Sequence, residues 1–130
     1  MKVLRVMPGE KPSVAELENS LEAMQEFVGG TIEAVYPFDD PVAIICNDEG
    51  KLLGLPPNRA LRHPETGGIY DILCGPFFLC GLDEDSFASL SQEYIEKYSR
   101  LFAFPETFLR LGASIVAIPY ETGDEYAKEE

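Results

Sequence analysis

The chain has 130 residues, which suits one domain, and 45% of them are hydrophobic. A domain of this size buries about two thirds of its unfolded surface, so it needs neither a metal nor a disulfide to hold its core. The 23 acidic and 10 basic residues give a formal net charge of −13, which argues against direct binding to nucleic acid or to anionic membranes. Such a surface favours solubility and could attract a basic protein partner.

The cysteine count and the N-terminal sequence indicate the compartment. The three cysteines, Cys46, Cys74 and Cys80, are an odd number, which argues against a secreted disulfide framework. The N-terminus lacks the apolar segment of a signal peptide, and no stretch approaches the roughly 18 apolar residues of a membrane span. We therefore expect a cytoplasmic protein with reduced thiols.

The first third of the chain predicts a strand followed by a helix. Charged and apolar residues alternate over residues 2–7, which is typical of a short strand. Ser13 and Glu16 have the spacing of a capping box, and apolar residues follow at helical intervals as far as Val28. The pattern predicts a helix from Ser13, ended by Gly29 or Gly30 with a positive φ.

The middle of the chain predicts short strands. Residues 31–36 alternate as a strand, and the apolar run at 42–46 is typical of a central one. We expect a turn with Gly50 at positive φ and a returning strand at 51–55. Residues 58–68 are interpreted as a loop, and strands are expected at 69–73 and 77–80.

The last third predicts a second helix over residues 91–102, with Ser89 and Gln92 as a capping pair. A short helix is expected from Phe104 to Leu109, and an edge strand at 115–118 before Pro119. The order of elements predicts an α+β fold, with a small, mostly antiparallel sheet and two main helices packed on one face. A parallel βαβ unit at the start is the alternative. We expect one domain over residues 1–120 and an acidic, frayed tail over 121–130.

Several segments taken together resemble one known family. They are Val28-Gly29-Gly30-Thr31-Ile32-Glu33, Asn47-Asp48-Glu49-Gly50-Lys51-Leu52, Leu55-Pro56-Pro57-Asn58-Arg59, Asp71-Ile72, Gly75 before Phe77, and Ser89-Leu90. The pattern resembles the domain of unknown function 3846 family, small bacterial proteins often carried by phages and conjugative elements. Members typically have Glu where this chain has Asp48. The resemblance implies a fold and a mobile-element setting, and it brings no activity.

Polar residues concentrate between Asn47 and Asp71. The candidate ligand-binding residues are Asn47, Glu49, Lys51, Asn58, Arg59 and Asp71. A guanidinium held behind two prolines could bind a phosphate or carboxylate in bidentate fashion. The alternative is that Arg59 pairs with Glu33, Glu49 or Asp71 and ties the loop to the sheet.

The sequence contains no complete catalytic or metal-binding motif. The phosphate-loop spacing is missing, and Gly29-Gly30 follows a predicted helix instead of opening one. A zinc site would need Cys46, His63, Cys74 and Cys80, whose spacing fits no ribbon or knuckle. His63, the one histidine, lies in a predicted exposed loop without a partner that could orient a base. We therefore predict no catalytic residue, metal or cofactor, and the chain is not expected to be an enzyme.

Three functions remain open. The leading hypothesis is a non-enzymatic accessory protein of a phage or mobile element that binds a protein partner. The first alternative is a DNA mimic that inhibits a basic nucleic-acid-binding protein, with Glu16, Glu22 and Glu26 on the first predicted helix, together with residues 83–85, as the candidate contact residues. The second alternative is a binder of small anionic ligands that uses residues 47–62, provided that their side chains converge on one cleft.

Overall fold

The computed structural model describes residues 1–121, which form ten strands and two helices. The first six elements are β1 (Lys2–Val6), β2 (Ser13–Glu16), α1 (Leu21–Val28), β3 (Ile32–Val35), β4 (Val42–Asn47) and β5 (Pro57–Arg62). The last six are β6 (Ile69–Cys74), β7 (Phe77–Asp83), β8 (Ser86–Ala88), α2 (Gln92–Leu101), β9 (Glu106–Leu111) and β10 (Ser114–Pro119). From residue 122 onward, the predicted acidic tail lies outside the described residues.

The main sheet has six strands in the order β2-β1-β7-β4-β3, with β8 paired to β7. Two hairpins, β5–β6 and β9–β10, form separate two-stranded sheets. Every strand pair is antiparallel, which confirms an α+β fold dominated by antiparallel sheet and excludes the parallel βαβ alternative for the described residues. Within residues 1–121, neither helix has the length and apolar character needed to cross a bilayer.

The two helices lie on opposite faces of the main sheet, so the prediction that both pack on one face was wrong. Met24 of α1 is in the same apolar cluster as Ile45 of β4. Tyr98 of α2 is in the other cluster, with the neighbouring residue Ile44. Successive strand residues point to opposite faces, so the central strands β4 and β7 supply both cores. This explains why the residues of β4 form a continuous apolar run.

The first predicted helix begins later than expected. Ser13 pairs with Arg5 in the β1–β2 ladder, so the residues of the supposed capping box form a strand. The helix is capped by Ser20, whose side-chain oxygen accepts a hydrogen bond from the backbone of Ala23 at 3.2 Å. The predicted C-terminal end is confirmed, because Gly29 adopts a left-handed conformation with φ 78°.

The segment after β4 differs most from the prediction. Residues 50–54 form turns instead of a strand, and Gly54, not Gly50, has positive φ. Gly50 is needed for space, since a Cβ there would lie 2.7 Å from the carbonyl oxygen of Cys74. Residues 57–62, expected to begin a loop, form β5 and pair with β6. The predicted strands over β3, β4, β6 and β7 are confirmed.

The C-terminal part contains one confirmed helix and one correction. Helix α2 has its N-cap at Ser91, whereas the Ser89 hydroxyl accepts a hydrogen bond from the backbone of Lys2. The short helix predicted from Phe104 to Leu109 is strand β9, which pairs with β10 along its whole length. The last strand was predicted correctly, and Gly112, with φ 62°, is the first residue of the two-residue turn between the strands.

Candidate functional site

An open cleft of about 370 Å³ lies between the turn after β4 and the strand β6. It brings together four of the six predicted ligand-binding residues, Asn47, Glu49, Lys51 and Asp71. The remaining two, Asn58 and Arg59, are not part of its lining. The predicted set therefore does not converge on one cleft, because β5 carries Asn58 and Arg59 into the interior.

Lys51 and Asp71 are bonded to each other across the cleft. The Lys51 Nζ donates to Asp71 Oδ1 at 2.6 Å, and the same oxygen accepts from the backbone of Ile72 at 2.8 Å. The hydrogen bond from Lys51 to Asp71 raises the pKa of Lys51. Both side chains are substantially exposed, at 65% and 39%, so water competes with this ion pair.

Asn47 supports the turn instead of facing the cleft with free polar atoms. Its Nδ2 donates to the carbonyl oxygen of Val28 at 3.0 Å, at the end of α1. Its Oδ1 accepts from the backbone of Glu49 at 2.7 Å, which closes an Asx-type turn. Asn47 is buried, so these bonds satisfy a helix-end carbonyl and fix the position of Glu49, whose side chain is exposed.

Two cysteines line the same cleft, and both thiols are held in the protonated form. Burial raises the pKa of Cys46 to about 12, and the nearby carboxylate of Glu33 adds to the effect. Burial also raises the pKa of Cys74. A thiol becomes a good nucleophile as the thiolate, so these surroundings are opposite to those of a catalytic cysteine.

Asn58 and Arg59 are fully buried on β5. The Asn58 Nδ2 donates to two backbone carbonyl oxygens, those of Val6 at 2.9 Å and Gly75 at 2.8 Å. Its Oδ1 accepts from Arg59 Nη1 at 2.8 Å. The amide thus ties β5 to the end of β1 and to the turn between β6 and β7.

Arg59 uses its guanidinium to hold three segments together. It donates to the carbonyl oxygen of Phe102 from both Nε and Nη2, to that of Glu10 from Nη2 at 2.6 Å, and to the main chain and side chain of Asn58 from Nη1. Phe102 is the C-cap of α2, where a positive charge is favourable. Burial lowers the pKa of Arg59. The expected pairing with Glu33, Glu49 or Asp71 was wrong, because β5 places Arg59 among backbone carbonyls.

The predicted partner-binding carboxylates are exposed but lie on two elements. Glu16 is on β2, where its carboxylate lies 3.8 Å from the N-terminal amine, while Glu22 and Glu26 are on α1. The amide of Asn19 donates to the carbonyl oxygen of Phe87, which places the start of α1 beside β8 and the acidic turn 83–85. Glu22, Glu26 and the turn 83–85 therefore lie on the α1 side of the main sheet, whereas Glu16, opposite Lys2 in the β1–β2 ladder, is on the other face.

The sequence interpretation missed an apolar surface on the β9–β10 hairpin. Glu106, on the inward face, has a side chain only 5% exposed and bonded to Arg62. The register places a second set of residues on the opposite, outer face: Thr107, Leu109, Leu111, Ser114, Val116 and Ile118. Within residues 106–119 the two charged residues, Glu106 and Arg110, are both on the inward face, so the outer face carries no charge. We call these six residues the outer hairpin face.

A local signal for this hairpin exists in the sequence. Leu111 and Ser114 flank Gly112-Ala113, and Gly at the first position of a two-residue turn is typical of antiparallel hairpins. The residues on both sides of that turn are rich in β-branched and aromatic types. A prediction that started from the turn instead of from Pro105 would have favoured two strands.

The residues considered for zinc binding are dispersed. Cys46 and Cys80 belong to the two different apolar cores, on opposite faces of the sheet. His63 is exposed and stacks on Tyr70, with ring centroids 4.7 Å apart. Over residues 1–121, no three His, Cys, Asp or Glu side chains are grouped so that they could hold a metal ion.

Comparison with known proteins gives one match. The family described as Domain of unknown function (DUF3846) matches residues 1–103, which is most of the chain and ends just before the β9–β10 hairpin. No curated protein matches. No solved structure matches. The match confirms the resemblance drawn from the sequence segments, and the chain belongs to the DUF3846 family.

Proposed function

We propose that this protein is a non-enzymatic accessory protein that binds a protein partner through the outer hairpin face, in the cytoplasm of a bacterium that carries a phage or mobile element. The observation that carries the proposal is the uncharged, apolar character of that face. The exposed fractions are 45% for Leu109, 61% for Leu111 and 46% for Ile118.

An exposed face of this kind is unusual for a solvated antiparallel sheet, which normally alternates apolar residues inside with polar residues outside. The outer hairpin face reverses this rule in a chain whose charged residues make up 25% of the sequence. Depletion of charge combined with contiguous apolar side chains is typical of the centre of a protein interface. The hairpin is also a separate two-stranded sheet, and such a unit gains stability when another surface covers it.

The state of the polar groups supports a binding role over a catalytic one. In the cleft, Lys51 is bonded to Asp71, and Asn47 is bonded to the backbone. The thiol of Cys46 has a pKa raised to about 12, which disfavours nucleophilic chemistry near neutral pH. The three cysteines are free, in keeping with a reducing cytoplasm.

The test is a pull-down from lysate of a host that carries the mobile element. Wild type is compared with Leu109→Asp/Ile118→Asp, which places two charges on the outer hairpin face. The matched control is Leu53→Asp, because Leu53 is 57% exposed and lies in the turn after β4. We expect one specific protein to be captured by wild type and the control and lost with the hairpin variant. Equal capture by all three proteins would refute the assignment of this face.

A second candidate function is inhibition of a basic nucleic-acid-binding protein by DNA mimicry. It is favoured by the exposed carboxylates of Glu22 and Glu26 and by the bond from Asn19 to Phe87, which gathers them on the same side as the turn 83–85. Glu22→Gln/Glu26→Gln separates the two candidates in the same pull-down. Capture that depends on these carboxylates and not on the hairpin would favour mimicry.

A further inference from the structure

A second cavity, independent of the proposed partner-binding face, lies where the end of α2 meets the β5–β6 hairpin. Its volume is about 260 Å³, suited to a ligand smaller than a typical drug molecule. Most of its lining is apolar: Pro37, Phe38, Ala60, Leu61, Pro64, Tyr70, Leu101 and Phe102. Arg62, His63 and Glu106 supply the polar groups. We call this cavity the Arg62 pocket.

Hydrogen-bond capacity left unused by the protein is the first clue to the ligand. The Arg62 Nη2 donates to Glu106 Oε1 at 2.6 Å and lies 3.5 Å from the carbonyl oxygen of Ala117. Its Nε and Nη1 have no partner among residues 1–121, although the side chain is only 35% exposed. The carboxylate of Glu106 also accepts from the backbone of Ala60 at 3.3 Å and is nearly buried. The groups that Arg62 leaves available are therefore donors, which suits an acceptor or an anion.

The aromatic side chains are the second clue. Phe38 contributes a ring to the lining from the side of the linker before β4. Across the pocket, the His63 ring is stacked on the ring of Tyr70, and neither ring nitrogen of His63 makes a hydrogen bond within the described part of the chain. Aromatic walls of this kind favour a flat, apolar ligand body by stacked or edge-on contacts.

We propose that the Arg62 pocket binds a small aromatic carboxylate, with its ring among Phe38, Tyr70 and Leu101 and its carboxylate on a free donor nitrogen of Arg62. The ion pair with Glu106 holds the guanidinium at the lining of the pocket and leaves Nε and Nη1 without a partner among residues 1–121. Both bidentate edges of a guanidinium include Nη2, which is bonded to Glu106, so a ligand carboxylate would accept a single charge-assisted hydrogen bond from Nε or Nη1. A free metabolite of this chemistry would be the natural ligand.

The absence of tryptophan from the chain allows a direct assay. Indole-3-acetate, excited through its own indole, serves as the probe, and its fluorescence anisotropy is followed as the protein is added. Indole-3-acetamide is the neutral control ligand with the same ring. We expect saturable binding of the acetate, and binding of the amide weaker by about tenfold or more, because a hydrogen bond to a charged group is lost.

Two variants and one control test whether the probe binds in the Arg62 pocket. Leu101→Asp puts a like charge at the rim, where Leu101 is 58% exposed, and should weaken binding of the acetate by about tenfold or more. Leu52→Asp, at a leucine 86% exposed and outside the pocket, should leave binding unchanged. Arg62→Gln/Glu106→Gln replaces the ion pair by a neutral pair and should abolish the preference for acetate over amide.

Three results would overturn the proposal. They are the absence of saturable binding as wild type is added up to about 1 mM protein, equal affinity for acetate and amide, and unchanged affinity in Leu101→Asp. Leu101→Asp changes an exposed position, so the test does not depend on whether Arg62→Gln/Glu106→Gln folds stably. None of these results bears on the outer hairpin face, whose failure would appear only in the pull-down.

Discussion

Two sets of polar side chains from the stretch 47–71 have opposite surroundings. On β5, Asn58 and Arg59 are completely buried, and their donors are engaged by backbone carbonyls of distant segments. At the cleft, the side chains of Lys51 and Asp71 are 65% and 39% exposed and are bonded mainly to each other. Residues that are equally polar in the sequence thus serve the fold in one place and remain available to solvent in the other.

The difference shows that a polar residue indicates a binding site only if its hydrogen-bonding groups are not already used inside the protein. Arg59 is the type of residue from which a binding site is predicted, yet all its donor nitrogens are used inside the protein. Arg62, three positions later on the same strand, has two donor nitrogens without a partner in the described part of the chain. The two arginines differ because Arg59 is in the buried middle of β5, whereas Arg62 is at the exposed end of the same strand.

The largest effect is expected for Arg59→Met. The substitution removes five hydrogen bonds and leaves the carbonyl oxygens of Phe102 and Glu10 without this donor. Breaking a buried charged network by removing one member costs about 3–5 kcal/mol. Urea unfolding would measure the loss, with Arg100→Met as the control at an exposed arginine. A loss below about 1 kcal/mol would contradict the structural role of Arg59.

A smaller loss is expected for Asn58→Ala. Two buried carbonyl oxygens, of Val6 and Gly75, lose their amide donor, and Arg59 loses one acceptor. Unsatisfied groups of this kind cost about 2–3 kcal/mol together. Asn19→Ala is the matched control, since Asn19 is exposed and its amide makes one bond, to Phe87. Similar denaturation midpoints for the two variants would remove the distinction between buried and exposed amides.

The loss of stability caused by Asn47→Ala should fall between the losses for the buried and the exposed set, because Asn47 is buried but lies beside the open cleft. It loses the bonds to Val28 and Glu49, at a cost of about 1–2 kcal/mol. Gly30 provides a sharper readout, since a Cβ at that position would lie 2.9 Å from Asn47 Nδ2. Gly30→Ala should therefore destabilise wild type more than it destabilises Asn47→Ala. Additive effects in this double-mutant cycle would show that the two residues do not interact.

The sequence was sufficient where local pattern and tertiary context agree. The apolar run of β4, the glycine end of α1 and the position of α2 follow from local features, and each was predicted correctly. The capping box at Ser13 and Glu16 was misleading because that spacing also fits a strand, and pairing with β1 decides between them.

The candidate site was only half predictable for a related reason. A buried Asn-Arg pair inside a strand has no local signature, since its acceptors come from segments far away in the chain, at Val6, Glu10 and Phe102. The outer hairpin face was missed because the helix interpretation of residues 104–109 obscured the alternation on either side of Gly112. The first failure concerns long-range pairing, which a local pattern does not encode, and the second concerns a local turn signal that was passed over.

The smallest effect is expected for the exposed pair itself. Lys51→Met and Asp71→Asn should each cost about 0–1 kcal/mol, and their coupling should weaken as salt is added. The pKa of Lys51 is raised in the folded state. The stability that the charged Lys51 gives to the folded protein is therefore complete below its ordinary pKa of 10.5, and it is lost as the pH rises through the folded-state pKa. A double-mutant cycle by urea unfolding, at low and high salt, measures the coupling. A salt-independent coupling as large as the loss in Arg59→Met would mean that the cleft pair behaves like a buried one, and the contrast between the two sets would fail.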